Sequence, residues 1–345
     1  MKTFSLTGIR EMKMMDIPDP IIISDSDVLI KMKVMGVCGS DIHYYKDGKI
    51  GSQVVTYPFT VGHEGAGEVA AVGKAVTRVK PGDRIAIEPA MPCFKCDQCL
   101  AGRHNTCRNL KFLGCPGQAS GLLSEYILLP ETSCIPISEK TTYDQAVISE
   151  PLAIGIYAVQ KSLPLQNANI GILGFGPIGM SVLIAATAQG AGKVYVTDKI
   201  EERLAIADKC GAWWTGNPDR EDIVVPITED EPLLLDVVFE CCGKQEAMDQ
   251  AFHLLKPGGK LMIVGIPEFK YWSVKVDLTR RKELTLVNVR RQENCTETAL
   301  EMMEKGFADV SLMATHRFDF RYSDKAFELV ADYKDGVMKA MIDFD

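Results

Sequence analysis

The sequence predicts an α/β protein of two domains, an irregular β-rich one and a doubly wound parallel sheet. Three observations predict it. A chain of 345 residues exceeds what one core usually organises, and domains of ~100–200 residues make two the natural number. Residues 1–150 carry short β-type runs between turn residues, such as Val28-Leu29-Ile30-Lys31-Met32-Lys33-Val34 and Gly67-Glu68-Val69-Ala70-Ala71-Val72-Gly73. From 151 to 287, apolar strands alternate with helical stretches, the texture of βαβ units.

In the first zone, Val79-Lys80-Pro81-Gly82-Asp83-Arg84-Ile85-Ala86 sets a Pro-Gly turn before another strand. In the second, strands are expected at 170–173, 193–197, 234–239, 260–264 and 284–287, with a short one at Trp213-Trp214. Helices are expected at 177–189, 201–209 and 245–255 between them. Residues 288–345 carry two helical segments and a strand-like Ala340-Met341-Ile342-Asp343, and are assigned back to the first domain. Arg280-Arg281-Lys282-Glu283 reads as a solvated turn.

Forty-six Asp and Glu against thirty-eight Lys and Arg leave a charge of −8, which argues against nucleic acid or an anionic membrane as partner. No apolar run approaches the ~18 residues that cross a bilayer. Met1-Lys2-Thr3-Phe4 alternates like a strand and lacks a signal-peptide core, so a cytoplasmic protein is expected. In a reducing compartment, eleven cysteines point to metal more than to disulfides.

Gly174-Phe175-Gly176-Pro177-Ile178-Gly179 fits G-x-G-x-x-G and stands between an expected strand and helix. The first glycine permits a tight turn, the second lets a pyrophosphate approach, and the third lets helix pack on strand. The helix N-terminus then offers N–H groups to the phosphates, the arrangement of a Rossmann dinucleotide site. Asp198 ends the next strand. A carboxylate there accepts from both ribose hydroxyls and repels a 2′-phosphate, so NAD is expected over NADP. Arg203, close by, complicates that choice.

Cys93-x2-Cys96-x2-Cys99-x7-Cys107 packs four thiols into one short loop. Four thiolates close a tetrahedral zinc shell, so this zinc is expected to be structural, with Lys95 and Arg103 offsetting its charge. Cys38 lies between glycines in Gly36-Val37-Cys38-Gly39-Ser40-Asp41-Ile42-His43, and His63-Glu64 lies in Gly62-His63-Glu64-Gly65-Ala66-Gly67. One Cys, one His and one carboxylate form the mixed, open shell of a catalytic zinc. By spacing alone, an isolated Cys is more often a buried small hydrophobe and a lone His a satisfied core residue.

These motifs together resemble the zinc-containing medium-chain dehydrogenase/reductase family, and within it the sorbitol-type polyol branch. Gly62-His63-Glu64-x2-Gly67-x5-Gly73-x2-Val76 matches the zinc signature and Cys38-Gly39-Ser40-Asp41-x-His43 the first ligand segment, and the motifs run in family order over essentially the whole chain. The resemblance implies a GroES-like β-rich catalytic domain plus a Rossmann NAD domain. It implies Cys38, His63 and Glu64 as ligands of a catalytic zinc, with Glu150 of Ser149-Glu150-Pro151 binding the metal directly or holding its water. It implies Ser40 and His43 as a proton route, and Tyr44 and Arg290 as residues that meet a polyol. The residue after Arg290 is usually tyrosine in that branch; here it is Arg291, whose guanidinium admits an aldonic acid or a sugar phosphate as substrate. A threonine dehydrogenase and a non-catalytic NAD- or zinc-binding regulator are the other readings. The family suggests a homotetramer or dimer.

Overall fold

Strand Asp27–Gly36 organises the first unit in the computed structural model, which describes residues 1–345. Its burial alternates along Val28, Ile30, Met32 and Val34, the period of a strand with one face on a core. Glu64–Val72, Tyr126–Pro130 and Lys339–Asp343 all pair with it in antiparallel register. The sheet continues through Arg84–Ile87 to Cys134–Pro136 on one side, and to Ala314–Asp319 beyond the last strand on the other. The pairing with Glu64–Val72 needs a glycine. A Cβ at Gly67 would stand 2.5 Å from the Lys31 carbonyl oxygen and 2.6 Å from Ile30 Cγ2.

The second unit is built on six parallel strands. Their order is Trp214–Gly216, Val194–Thr197, Ile170–Leu173, Leu235–Glu240, Leu255–Ile263, Thr285–Asn288. In chain sequence this is 3-2-1-4-5-6, the doubly wound order, and its switch point lies between Ile170–Leu173 and Leu235–Glu240. Ile170, Ile172, Val196, Val237, Val238 and Phe239 are fully buried, as strands covered on both faces require. Helices Pro177–Ala188, Glu201–Lys209 and Gln245–Leu254 link strands of this sheet.

The first unit takes Met1–Glu150, Thr296–Gly306 and Met313–Asp345; the second takes Pro151–Cys295 and Phe307–Leu312. The chain thus re-enters the first unit at Thr296, later than the 288 suggested by sequence. The N–H of Val289 still donates to the Ile263 carbonyl, so pairing with the parallel sheet runs past Asn288. Lys282 also departs from expectation. Arg280 and Arg281 do lie in solvent and pair with Asp277, but the Lys282 ammonium donates to the carbonyls of Phe252, His253 and Leu255. It caps the C-terminal end of helix Gln245–Leu254, where the orphan carbonyls and helix dipole favour a cation. No helix is long and apolar enough to cross a membrane.

Gly67→Ala should shift a denaturant midpoint downward by about 1–3 kcal/mol of stability, because the new methyl meets backbone that cannot give way. An unchanged midpoint would mean the two strands separate at no cost.

Candidate metal and cofactor sites

Cys38 lies two residues past the end of the central strand and N-caps helix Gly39–Asp47. Glu64 is the register partner of Gly36, so the pairing that builds the sheet also carries His63 and Glu64 to the end of that strand. The result is a group in which Cys38 Sγ, a His63 ring nitrogen and a Glu64 carboxylate oxygen lie within 4.8 Å of one another. His63 and Glu64 are buried, and Cys38 is half-buried.

Asp41, fully buried, ties this group together. Its Oδ2 accepts from the Cys38 N–H at 3.1 Å, and its Oδ1 accepts from the Gly62 N–H at 3.2 Å. Oδ1 also stands 3.3 Å from His63 Nδ1. With Nδ1 turned to a carboxylate, His63 has Nε2 to offer a metal, the usual orientation of a ligating histidine. Burial works against charge on His63, but Asp41 and Cys38 outweigh it and hold the imidazole pKa well up. Lys339, from the last strand, donates to Glu64. The Phe112 ring lies 5.4 Å from that of His63 and supplies an apolar wall.

Glu150 sits inside helix Tyr143–Lys161, one residue before Pro151, and is buried. Burial pushes its carboxyl up to about 7, Glu64 and Glu88 add to this, and His63 and Lys339 oppose it. It does not fall within the 4.8 Å group of Cys38, His63 and Glu64. Ser40 and His43 are three apart on the first turns of helix Gly39–Asp47 and so share a face. His43 is half-buried, with Nδ1 3.7 Å from an Asp47 carboxylate oxygen. Tyr44 is buried; its hydroxyl donates to Gln53 at 3.2 Å and lies 3.8 Å from Cys115 Sγ.

The four cysteines of the lobe also converge, with all four sulfurs within 4.8 Å of one another. Cys96 Sγ stands 3.6 Å from Cys99 Sγ and 3.9 Å from Cys107 Sγ. Bonds of ~2.3 Å to a tetrahedral zinc imply an edge of about 3.8 Å, so the thiols fit that ion. They do not fit disulfides, which need ~2.05 Å. The Lys95 backbone N–H is the main influence pulling the Cys93 thiol down to about 6, toward the thiolate a metal requires. Outside the sulfurs, the pair Arg108–Asp97 braces the loop.

In the second unit, Gly174 adopts φ +95°, and a Cβ there would come within 2.7 Å of Cys242 Cβ. A Cβ at Gly179 would overlap the Gly174 carbonyl. Gly176 differs: it N-caps helix Pro177–Ala188, and the only atom near its would-be Cβ is Arg203 Nη1 at 3.4 Å. The loop is therefore tight where it packs and open where a pyrophosphate would enter, beside a guanidinium. Asp198 is more occupied than the sequence suggested. Its Oδ2 accepts from the Phe175 N–H at 2.6 Å and its Oδ1 from the Ile200 N–H at 2.9 Å. Each oxygen keeps a lone pair for a ribose hydroxyl. Glu240, fully buried at the end of its strand, accepts from the N–H groups of Cys242 and Gly243 and holds that turn against Gly174. Arg290 and Arg291 follow the carboxyl end of Thr285–Asn288; Arg290 is exposed and Arg291 half-buried at φ +52°.

Family models agree with both halves of this picture. Residues 24–139 match the alcohol dehydrogenase GroES-like domain, and residues 177–305 match the zinc-binding dehydrogenase domain. A sorbitol dehydrogenase from Bacillus subtilis is 35% identical, across 99% of this chain and 97% of that protein. The chain belongs to the zinc-containing medium-chain dehydrogenase/reductase family. An L-idonate 5-dehydrogenase from Vitis vinifera is 32% identical over 94% of this chain and 90% of its own. Among solved structures, an Escherichia coli oxidoreductase/dehydrogenase of unknown specificity matches with a TM-score of 0.93 and 32% identity, covering 100% of this chain and 99% of its own. This medium-chain dehydrogenase is thus an oxidoreductase of the zinc-type polyol and sugar-acid group.

Asp41, Phe112, Lys339 and Glu240 were not assigned from sequence. Asp41 had a signal, since it stands at the N3 position after an N-cap. Lys339 had only its oddness, a lysine in the apolar run from Val337 to Ile342. Asp41→Asn should weaken metal binding at Cys38, His63 and Glu64 by about 10–100-fold, read as faster metal release to a chelator. Release at the wild-type rate would deny Asp41 its orienting part.

Proposed function

We propose that this enzyme oxidises a secondary alcohol of a polyol, of sorbitol, xylitol or iditol type, to the ketose with NAD as hydride acceptor. The observation that carries this reading is the group of Cys38, His63 and Glu64. It offers three protein ligands and so leaves a fourth position for a hydroxyl, whereas the four-cysteine lobe is closed. Two zinc ions per chain are assigned accordingly, one catalytic and one structural.

Bound zinc supplies Lewis acidity that lowers the pKa of the substrate hydroxyl, and bound NAD supplies the hydride acceptor. Cys38, His63 and Glu64 hold the metal, and Asp41 orients His63. Glu150 presents a buried carboxyl to the same neighbourhood. Ser40 and His43 carry the alcohol proton toward solvent, since they share a helix face and His43 is half-buried beside the carboxylate of Asp47. Gly174, Gly176, Pro177, Ile178 and Gly179 receive the pyrophosphate, Asp198 the ribose, and Arg203 lies beside the same loop. Tyr44 and Arg290 are assigned to the substrate. A dimer or tetramer is assigned, as the family suggests, and a cytoplasmic location, as the sequence suggests.

A second reading keeps the mechanism and changes the substrate. Arg291 holds a left-handed backbone conformation that non-glycine residues adopt only at some cost, and Arg290 precedes it. Two adjacent guanidinium groups suit an aldonic acid or a sugar phosphate, and one relative is named for L-idonate.

The test is NADH formation over polyols, aldonic acids, sugar phosphates, threonine and simple alcohols, with NAD and NADP, with and without a chelator. Chelator-sensitive turnover of a neutral polyol is expected, and Cys38→Ser should abolish it. Turnover confined to an acid or phosphate would replace the first reading with the second. Asp198→Ala should raise KM for NAD roughly tenfold or more, since hydrogen bonds to a charged group are worth about 1.5–3 kcal/mol. An unchanged KM would remove Asp198 from ribose recognition.

A further inference from the structure

Lys339 is a lysine with no route to water: its side chain is 0% exposed, and that of Glu64, which it pairs with, 1%. Taking an ammonium out of water costs several kcal/mol unless charges and hydrogen bonds close around it. What closes around this one is the metal group. Glu64 accepts its hydrogen bond, and Cys38 and Glu150 also act on it electrostatically. The fold makes room for the pair. A Cβ at Gly36 would stand 2.5 Å from Glu64 Oε2, 2.9 Å from Val147 Cγ1 and 3.4 Å from Lys339 Cδ. The register then brings the lysine in: Met341 is the partner of Gly36, and the Val37 N–H donates to the Ala340 carbonyl at 2.9 Å.

We propose that Lys339 is a positioning residue of the metal site, fixing the Glu64 carboxylate and supplying the buried positive charge that a dication with this donor set needs. The inference rests on the reading of Cys38, His63 and Glu64 as metal ligands. A divalent ion set against the Cys38 thiolate and the carboxylates of Glu64, Glu150 and Asp41 leaves an excess of negative charge. The ammonium offsets part of that excess from within the core. It also locks the rotamer of Glu64, as Asp41 orients His63 from the other side. Each of these two ligands is therefore set by a charged partner that never touches substrate. Lys339→Met removes the charge at nearly constant length and leaves Glu64 buried without its partner.

The experiment uses full-length chain, depleted of metal and titrated with cobalt(II). The dispersed site and the four-cysteine lobe are told apart by their absorption spectra and by a Cys38→Ser control. Lys339→Met is expected to bind cobalt at the dispersed site about 10–100-fold more weakly, with an altered ligand-field band, while the lobe is unaffected. A change confined to one site is what general loosening of the fold would not give. Equal affinity and spectrum in wild type and Lys339→Met would overturn the inference alone. A wild type that binds no more cobalt than Cys38→Ser would overturn the metal reading, and the inference with it. Should Lys339→Met fail to fold, Lys339→Arg decides. The retained charge is expected to keep cobalt at the dispersed site within a few-fold of wild type, and a folded Lys339→Arg chain that has lost it would overturn the inference.

Discussion

The hydrogen-bond register of Asp27–Gly36, held between Glu64–Val72 and Lys339–Asp343, carries the chemistry of the first unit. Side chains alternate across a strand, so a slip of one residue would turn every one to the other face. Gly36 opposite Glu64, and Met341 opposite Gly36, set which side chains gather where the strand ends and Cys38 begins the helix. Gly67 secures the same register from within, because only a residue without Cβ lets the Lys31 carbonyl come so close. Gly36 and Gly67 are therefore part of the geometry of this group: they let the Glu64 carboxylate and the Lys31 backbone occupy space that a methyl would take.

In the second unit the ruling feature is the reversal of strand order beside Ile170–Leu173. The loops at the carboxyl ends of this strand and of Leu235–Glu240 diverge there, which is where open parallel sheets bind ligands. Gly174 and the Cys242–Gly243 turn face each other across it, the one held by its positive φ and the other by Glu240. Asp198 does two jobs. It fixes the glycine loop through the Phe175 N–H and the start of the next helix through the Ile200 N–H.

What the sequence revealed depended on how local each signal was. The glycine fingerprint and the four cysteines lie within single short stretches, and each could be read whole. Cys38, His63 and Glu64 are dispersed, and by spacing alone they did not separate from core residues; the match to a family pattern made that difference. Lys339 could not be read as a partner of Glu64, since nothing within its own strand says what lies opposite. Strand Ala314–Asp319 was missed because it is a polar edge strand, with Arg317 bonded to Asp144 and Asp343 instead of facing a core. Helix Tyr143–Lys161, which carries Glu150, was not among the helices expected from sequence, because the proline inside it masks its continuity.

The two groups of side chains that could hold a metal ion draw on very different stretches of the chain. The cysteine lobe spans Cys93 to Cys107 and is complete as soon as that loop has emerged from the ribosome. The other group draws on Cys38, His63 and Glu64, but Glu64 meets its counter-charge only with the strand Lys339–Asp343, the lysine lying 275 residues further along the chain. Between them the whole parallel-sheet unit must be made. The lobe can therefore gather its sulfurs while the dispersed group still lacks the lysine that pairs with Glu64.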